Sequence, residues 1–324
     1  MKAAVYARYG AADVVSIKEI GKPVPKAGEV LIRIRATTVS SADWRVRSLA
    51  MPPGFALLAR PALGLLGPRK PVLGTELSGD VEAVGANVTA YKPGDAVIAF
   101  PGGSFGCHAE YRTMPETRAI AHKPANLSYE EAAALSFGGM TALDFLKNKG
   151  NIQRGDKVLI VGASGAVGSA AVQLARHFGA NVTGVCSAAN RDLVLSIGAR
   201  RVIDYAREDF SQNGETYDII LDATGTAPFA RSKASLKNNG RLLLVLSNLP
   251  ALLQSPWIAL TSDKRVFAGP ASESPRDIAV LRELVEQSAF KPVIDRVYPM
   301  DQIVEAHRRV DTGRKTGSVV ITVA

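Results

Sequence analysis

Seven residues between a predicted strand and a predicted helix have the types and spacing of a phosphate-binding loop. They are Gly162, Ala163, Ser164, Gly165, Ala166, Val167 and Gly168. An apolar strand precedes them and a helical stripe of apolar residues follows, the context that makes such a glycine pattern informative. Glycines let the backbone approach a pyrophosphate, and the helix N-terminus offers free N–H groups and a positive dipole end. The loop predicts a dinucleotide site; the alternative is a purely structural turn.

The residues after the second predicted strand bear on which dinucleotide binds. A site that prefers NAD usually has an acidic residue here to hold the ribose hydroxyls. This chain has Cys186 and Ser187 instead, and Arg191 is the nearest cation. A hydroxyl and a guanidinium would each give a 2′-phosphate a charge-assisted hydrogen bond of roughly 1.5–3 kcal/mol. We therefore predict that NADPH binds at least about tenfold more tightly than NADH, unless Arg191 is only a solvated helix residue.

Two more residues follow predicted strands and could line the same cofactor. Tyr205, after the third strand, would cover the adenine or reach the phosphate, and a plain surface aromatic is the equal alternative. Ser247, after the fifth strand, would line the nicotinamide site. Residues at the carboxyl ends of parallel strands share one edge of a sheet, where ligands bind.

Side chains that ligate metals or act as nucleophiles are few. The chain has two cysteines and four histidines, and Cys107–His108 is the one local Cys/His pair. A catalytic zinc needs three protein ligands, and adjacent residues rarely chelate one ion. No histidine stands beside a Ser or Cys in a nucleophile elbow. The sequence therefore predicts no metal site and gives no support to covalent hydrolysis.

The elements that must position these residues change in character near residue 125. Before it, short strands alternate with turn residues, as in Glu29–Ala36, where apolar and basic side chains alternate. Ser128 and Glu131 form a capping-box pattern that opens a helix. From there strands and helices alternate, and six strands with helical crossovers predict a parallel, doubly wound sheet.

Chain length and the last strand fix the predicted domain organisation. At roughly 100–200 residues per domain, a chain of 324 residues predicts two domains. The apolar stretch Val319–Val323 follows no strand–helix unit and is expected to return to the first domain. We predict a β-rich domain of residues 1–124 and 270–324, with a nucleotide-binding domain of residues 125–269 inserted into it.

Composition and charge limit the function classes. The net charge is +9, but no run of five like charges occurs. Such spread charge favours an anionic ligand and argues against a nucleic-acid surface. The first residues do not form a signal peptide, and no stretch reaches 18 uncharged apolar residues, so no membrane span is expected. Few cysteines suit a reducing compartment, and we expect a cytoplasmic protein.

Motifs spread along the chain point to one family. They are Gly74–Gly79 with Gly85, Lys92–Val97, Gly106–Tyr111, Gly138–Ala142, the glycine loop, Gly198–Ala199 and Gly313–Val320. The whole chain resembles the zinc-independent, quinone-oxidoreductase-like branch of the medium-chain dehydrogenase/reductase superfamily. The resemblance implies a GroES-like catalytic domain with an inserted Rossmann domain, and a homodimer. It also implies that Thr141 hydrogen-bonds the nicotinamide or its ribose.

Two positions separate this chain from the zinc alcohol dehydrogenases of that superfamily. Those relatives carry a histidine ligand where this chain has Thr75 and a cysteine ligand where it has Ser40. Zinc would stabilise an alkoxide as a Lewis acid. Without zinc we expect hydride transfer to an acceptor that spreads the charge itself, such as a quinone or an α,β-unsaturated carbonyl.

The stretch that faces the nicotinamide in the family supplies the candidate catalytic residues. Ser40 and Ser41, where several quinone-reductase relatives carry Asn-Pro, could donate hydrogen bonds to the developing oxyanion. Asp43 is expected to orient the stretch through Arg47, and a structural ion pair of the two is the alternative. Trp44 either walls the pocket or fills the core.

A Pro-, Gly- and Leu-rich segment, Met51–Pro71, follows this stretch. We expect it to form a hydrophobic lid over an apolar substrate. A packed surface loop and a membrane-touching patch are the alternatives.

The sequence thus predicts a metal-free, NADPH-dependent oxidoreductase that transfers hydride to a quinone or an α,β-unsaturated carbonyl. A zinc-free alcohol or aldehyde oxidoreductase is the enzymatic alternative. A non-enzymatic, NADPH-regulated RNA-binding protein is the other alternative, supported only by the net charge.

Overall fold

Contacts within the chain divide it into two units. The computed structural model describes residues 1–323, except for the side chains of residues 57 and 58. Unit 1 contains Met1–Met51, Ala56–Phe137 and the chain from Glu273 onward. Unit 2 contains Pro52–Phe55 and Gly138–Ser272, so it interrupts unit 1 in the sequence.

The first part of the chain forms mainly short strands, and the later part alternates strands with helices. The strands are β1 (Lys2–Tyr6), β2 (Val15–Glu19), β3 (Glu29–Val39), β4 (Leu77–Val84), β5 (Ala96–Ala99), β6 (Tyr111–Pro115), β7 (Ile120–His122), β8 (Lys157–Val161), β9 (Asn181–Cys186), β10 (Arg201–Asp204), β11 (Tyr217–Asp222), β12 (Leu236–Leu244), β13 (Arg265–Ala268), β14 (Ile294–Pro299) and β15 (Ser318–Thr322). The helices are α1 (Ser41–Ser48), α2 (Ala56–Leu63), α3 (Tyr129–Ala133), α4 (Ser136–Leu143), α5 (Ala166–His177), α6 (Arg191–Ser196), α7 (Phe229–Ser232), α8 (Leu249–Thr261), α9 (Pro275–Glu286) and α10 (Ile303–Asp311).

A seven-stranded sheet organises unit 1. Its order is β14-β15-β3-β4-β5-β7, with β6 also paired to β3, while β1 and β2 form a separate pair. Along β3, Val30, Ile32 and Ile34 are fully buried, because alternate side chains of a strand face the same side. The last strand, β15, pairs antiparallel with β3. The end of the chain therefore returns to the unit in which it began, as expected.

Six parallel strands form the sheet of unit 2, in the order β10-β9-β8-β11-β12-β13. The direction of winding reverses between β8 and β11, and doubly wound sheets bind their ligands outside the carboxyl ends of the strands at such a point. Helix α5 buries the predicted apolar stripe and is followed by Gly179, whose φ of 82° suits glycine. The predicted α/β fold, a β-rich domain with an inserted doubly wound domain, is confirmed.

The first boundary between the units lies later than the sequence pattern placed it. The change to helices near residue 125 marks α3, but α3 packs on β3 and β4 of unit 1. The chain passes into unit 2 between Phe137 and Gly138, inside α4. It passes back between Ser272 and Glu273, close to the predicted residue 270.

Helix α8 accommodates two prolines. Pro250 stands in its first turn, where no N–H is needed, and Pro256 lies inside the helix. Helix α7 is short and is followed by a 3₁₀ segment, Lys233–Ser235. None of the described helices is long and apolar enough to cross a membrane.

Candidate functional site

The glycine loop of unit 2 turns sharply at the end of β8. Gly162 has a φ of 81°, and its N–H and that of Ala163 both donate to the Val185 carbonyl at 3.0 Å. A Cβ on Gly168 would lie 2.0 Å from the Gly162 carbonyl oxygen, so only glycine lets α5 pack this closely on the loop. These contacts join the ends of β8 and β9 to the start of α5.

The N-terminus of α5 is open to an anion. Gly165 is its N-cap residue, and no side chain among the described residues caps this end. A Cβ on Gly165 would meet nothing closer than 3.6 Å, so the space beside this backbone is free. The first N–H groups of a helix have no intrahelical partner and carry the positive end of its dipole. Gly165 and Ala166 therefore form a cradle that fits a pyrophosphate.

The residues predicted to select the cofactor lie together at the end of β9. Cys186 ends the strand, half-buried Ser187 follows it, and the Tyr205 N–H donates to the Cys186 carbonyl at 3.3 Å. The Arg191 Nη1 donates to the Val202 carbonyl at 3.3 Å, which ties α6 to β10. Tyr205 is 66% exposed, so its ring is free to stack on a ligand.

A carboxylate from the neighbouring strand also stands at this end. Asp204 ends β10, which pairs with β9 so that Asp204 lies opposite Cys186. Burial raises the pKa of the Cys186 thiol to about 11; the Asp204 carboxylate also raises it and Arg191 lowers it. Sequence reasoning missed Asp204 because the acidic residue that favours NAD is expected after the second strand of such a domain, whereas Asp204 ends the third. Its Oδ1 accepts the Ala206 N–H at 3.1 Å, so the carboxylate already caps the turn that follows.

Asp222 organises the opposite side of the crevice and was also missed. It is fully buried at the end of β11 and accepts from the N–H groups of Thr224, Gly225 and Ala227 at 2.7–2.9 Å. The Thr224 methyl group lies 2.4 Å from a Cβ built on Gly162, so this turn abuts the glycine loop. An Asp at the end of a strand, followed here by Ala-Thr-Gly, is an Asx-turn signal that could have revealed it.

The remaining predicted cofactor residues lie in elements around the same sheet edge. Thr141 lies on α4 and is 8% exposed, and half-buried Ser247 lies between β12 and α8. Ser164, in the loop, accepts a 3.0 Å hydrogen bond from the Asn190 side chain. Asn190 directly precedes α6. An asparagine at that position could have been identified from the sequence as a hydrogen-bond partner of the glycine loop.

In unit 1, Ser40 and Asp43 hold each other. Ser40 is the N-cap of α1 and forms a capping box with Asp43, whose Oδ2 accepts from the Ser40 N–H at 2.7 Å and from its hydroxyl at 2.6 Å. The other carboxylate oxygen accepts the Gly74 N–H at 2.8 Å. Asp43 thus fixes the Ser40 stretch against the Gly74–Glu76 stretch. Ser41, the first residue of α1, is half-buried.

Arg47 does not pair with Asp43, which corrects the expected link between them. Both lie on α1 at a spacing that would allow contact, but the Asp43 oxygens are occupied by Ser40 and Gly74. Arg47 is fully buried and its Nη2 lies 2.5 Å from Asp311, at the end of α10. Half-buried Trp44 packs against the core of unit 1.

Thr75 and the Cys107–His108 pair, considered above as possible metal ligands, are buried in unit 1. Thr75 is 3% exposed, and its hydroxyl has no hydrogen-bond partner within residues 1–323. Burial raises the pKa of the Cys107 thiol far above its usual range, so the thiol stays protonated. His108 Nε2 faces the Thr38 carbonyl at 2.9 Å and must donate to it. Across the described chain no three His, Cys, Asp or Glu side chains are grouped to hold a metal.

The segment proposed as a lid is ordered partly as α2. The Leu249 N–H at the start of α8 donates to the Pro53 carbonyl at 3.1 Å, and both residues belong to unit 2. In unit 1, Leu65 and Leu66 are 64% and 105% exposed. The side chains of Leu57 and Leu58, part of the same prediction, lie outside the described residues.

Comparison with known proteins places this geometry in a family. Residues 26–125 match the model of the alcohol dehydrogenase GroES-like domain. Residues 197–321 match the model of the zinc-binding dehydrogenase.

Two relatives span nearly all of the chain. The chloroplastic quinone-oxidoreductase homolog of Spinacia oleracea is 30% identical, with 99% of this chain and 98% of that protein covered. The 2-methylene-furan-3-one reductase of Solanum lycopersicum is 32% identical, with 99% and 79% covered.

Solved structures show the same fold and lead to the assignment. The quinone oxidoreductase from Coxiella burnetii superposes with a TM-score of 0.89 at 27% identity, covering 100% of this chain and 99% of that one. A mycobacterial protein, Rv1454c, complexed with NADPH, gives 0.81 at 26% identity, with 100% of both chains covered. The chain belongs to the quinone-oxidoreductase-like branch of the medium-chain dehydrogenase/reductase superfamily, a family of oxidoreductases that use a nicotinamide cofactor.

Proposed function

We propose that the chain is a metal-free, NADPH-dependent reductase of quinones or α,β-unsaturated carbonyls. One observation carries the proposal: a chain with an open pyrophosphate cradle at the start of α5 has hydroxyl groups, not imidazole or thiolate, at Ser40 and Thr75. Hydroxyl groups are poor zinc ligands, so the oxyanion that develops must be stabilised by hydrogen bonds and by the acceptor itself.

The cofactor would be held by backbone and side-chain groups of unit 2. The N–H groups at the start of α5 would bind the pyrophosphate, and Ser187 and Arg191 would bind the 2′-phosphate. Thr141 and Ser247 would contact the nicotinamide end. NADPH supplies the hydride when it is bound. The chain's own task is to hold it in one orientation against the acceptor.

Ser41 is the best donor to the developing oxyanion among the four predicted catalytic residues. The Ser40 hydroxyl donates to Asp43, and Arg47 is buried against Asp311. Asp43 would act by holding the stretch in place. Ser41 is half-buried at the N-terminus of α1, so its hydroxyl would donate where the helix dipole also favours negative charge.

An apolar acceptor is proposed because of the lid segment and the relatives. Leu65 and Leu66 are exposed leucines that a flat, apolar substrate would cover. Two relatives are a quinone-oxidoreductase homolog and a 2-methylene-furan-3-one reductase. Both names fit acceptors that spread negative charge over a conjugated system.

Three acceptors test the proposal. Purified, chelator-treated protein is mixed with NADPH and an ortho-quinone, an enone or a simple aldehyde, and NADPH consumption is followed. We expect turnover of the quinone or the enone and none of the aldehyde. Turnover of the aldehyde alone would contradict the proposed substrate class and favour the alcohol/aldehyde alternative.

We further propose a cytoplasmic homodimer that binds no nucleic acid. Strand β13 lies at the edge of the unit 2 sheet, and an unpaired edge is a template for pairing with a second copy. Sedimentation at several concentrations would test the dimer. A salt-dependent mobility shift with RNA that NADPH abolishes would instead support the RNA-binding alternative.

A further inference from the structure

Helix α4 is in direct backbone contact with the glycine loop. A Cβ on Gly138 would lie 2.5 Å from the Ala166 carbonyl oxygen and 2.9 Å from its carbonyl carbon. The two backbones therefore touch with no side chain between them. Any shift of α4 toward Ala166 must displace the first turn of α5, which is the turn proposed to bind the pyrophosphate. Thr141 lies one turn further along α4, on the side of Gly138.

The start of α4 has no capping residue of its own. The residue before it is Leu135, which has no side-chain acceptor, and the buried Ser136 hydroxyl has no hydrogen-bond partner within residues 1–323. An uncapped helix start leaves N–H groups without partners, which is costly inside a protein. A distant residue fills this role here.

That residue is Glu76, which precedes β4 and is 1% exposed. Its Oε2 accepts the Phe137 N–H at 2.5 Å, and the Ser136 N–H also donates to the carboxylate. Its Oε1 accepts the Thr38 hydroxyl at 2.5 Å, and Thr38 lies in β3. A carboxylate anchored to the sheet of unit 1 thus caps α4 and opposes the positive end of its dipole.

We infer that Glu76 is a positioning residue for the cofactor: it caps helix α4, whose Gly138 lies against Ala166 of the glycine loop, and in this way fixes that loop. The inference rests on the proposed function, because it assumes that a dinucleotide binds at this loop. Glu76 need not touch the cofactor or the acceptor. Its effect would appear in cofactor binding and not in the reaction of bound substrates.

Glu76→Gln is the informative variant. The amide keeps one oxygen for the Phe137 N–H, and the Thr38 hydroxyl can reverse and accept from the new NH₂ group. Burial raises the pKa of Glu76 to about 7, so the charged form of Glu76 is costly to bury. Removing this charge should therefore not lower the stability of the folded chain. Glu116→Gln is the matched control, because Glu116 also accepts backbone N–H groups, from Thr89 and Ala90, but has no link to α4.

The measurements are the Kd for NADPH by direct titration, the KM for NADPH and for the quinone, kcat, and Tm. For Glu76→Gln we expect the Kd and KM for NADPH to rise about two- to fivefold, because the amide caps α4 without the negative charge that opposes its helix dipole. The KM for the quinone, kcat and Tm should match the wild type. Glu116→Gln should match it throughout.

Gly138→Ala tests the second link while leaving Glu76 intact. Its methyl group would collide with Ala166, so the same rise in the Kd for NADPH is expected. Wild-type NADPH affinity in folded Glu76→Gln or in Gly138→Ala would overturn the inference. If the wild-type protein binds NADPH and Glu76→Gln lowers only Tm, Glu76 has a structural role and does not position the cofactor. If wild-type protein binds no nicotinamide cofactor, the proposed function fails and the inference with it.

Discussion

His307 is a buried group that must stay neutral in the folded protein. It is fully buried on α10, and neither ring nitrogen has a hydrogen-bond partner in the part of the chain that the structure describes. Burial, with His108 and Arg47 nearby, lowers the pKa of His307 well below its usual value near 6.5. The unfolded chain therefore binds a proton below about pH 6.5 that the folded chain does not. The stability contributed by neutral His307 falls as the pH drops from 6.5 toward the folded pKa.

Replacing His307 with Leu should reduce this acid sensitivity. An apolar side chain of similar size removes two unpaired nitrogens, so stability at pH 7.5 should be unchanged or higher. At pH 5.5, one unit below the usual histidine pKa, the free energy of unfolding of the wild type should have fallen by up to about 1.4 kcal/mol more than that of the variant. Urea unfolding at both pH values measures this. His177→Leu is the control, because His177 is exposed. If wild type and His307→Leu lose the same free energy of unfolding between pH 7.5 and pH 5.5, His307 is not the source of the acid sensitivity.

Arg191 and Asp204 should act in opposite directions on cofactor choice. Arg191→Ala removes the cation proposed to meet the 2′-phosphate, so the preference for NADPH over NADH should fall at least about tenfold. Asp204→Asn removes a negative charge from the same end of the sheet, so the preference for NADPH over NADH should rise. Titration of both cofactors against both variants gives the ratios. An unchanged ratio in Arg191→Ala would remove that residue from the site.

Helix α5 offers a test at the scale of an element. In Gly165→Ala the new methyl group meets no atom of the chain closer than 3.6 Å, and the backbone φ of −76° suits alanine. Folding should therefore be unaffected. The methyl group would occupy the cradle, and the Kd for NADPH should rise about tenfold or more. Gly28→Ala, also in open space, is the control. Wild-type affinity in Gly165→Ala would show that no phosphate approaches this backbone.

The segment Met51–Pro71 is the second element whose role can be measured. Deleting residues 54–66 should raise the KM for bulky apolar acceptors while NADPH binding is retained. Leu65→Ser with Leu66→Ser is the milder change, and it should have the same direction because both side chains are exposed. Loss of NADPH binding in the deletion would mean that the segment is structural. An unchanged KM in the double variant would exclude these leucines from the acceptor site.

At the scale of the whole molecule, the sequence predicted what depends on local pattern. The alternation in β3, the stripe of α5 and the glycine turn before it all follow from short-range periodicity and backbone geometry. Contacts between distant residues were not predictable in this way. Arg47 and Asp311 are 264 residues apart, and Glu76 caps a helix that begins 60 residues later.

Neighbouring strands also bring together residues that no spacing rule connects. Asp204 stands beside Cys186 only because β10 pairs with β9 in register. Helix α4, with the sequence SFGGMTAL, has two glycines and no cap of its own. Its helical state depends on packing and on Glu76, so propensity alone does not reveal it.

The most direct test of the central claim is the rate of NADPH oxidation with an ortho-quinone, before and after exhaustive chelation. Metal content is measured on the same samples. The proposed mechanism predicts equal rates in both samples and no gain on adding Zn²⁺, because hydrogen bonds and the acceptor itself stabilise the charge. Activity that disappears with the chelator and returns with Zn²⁺ would contradict metal-free reduction and require ligands other than Ser40 and Thr75.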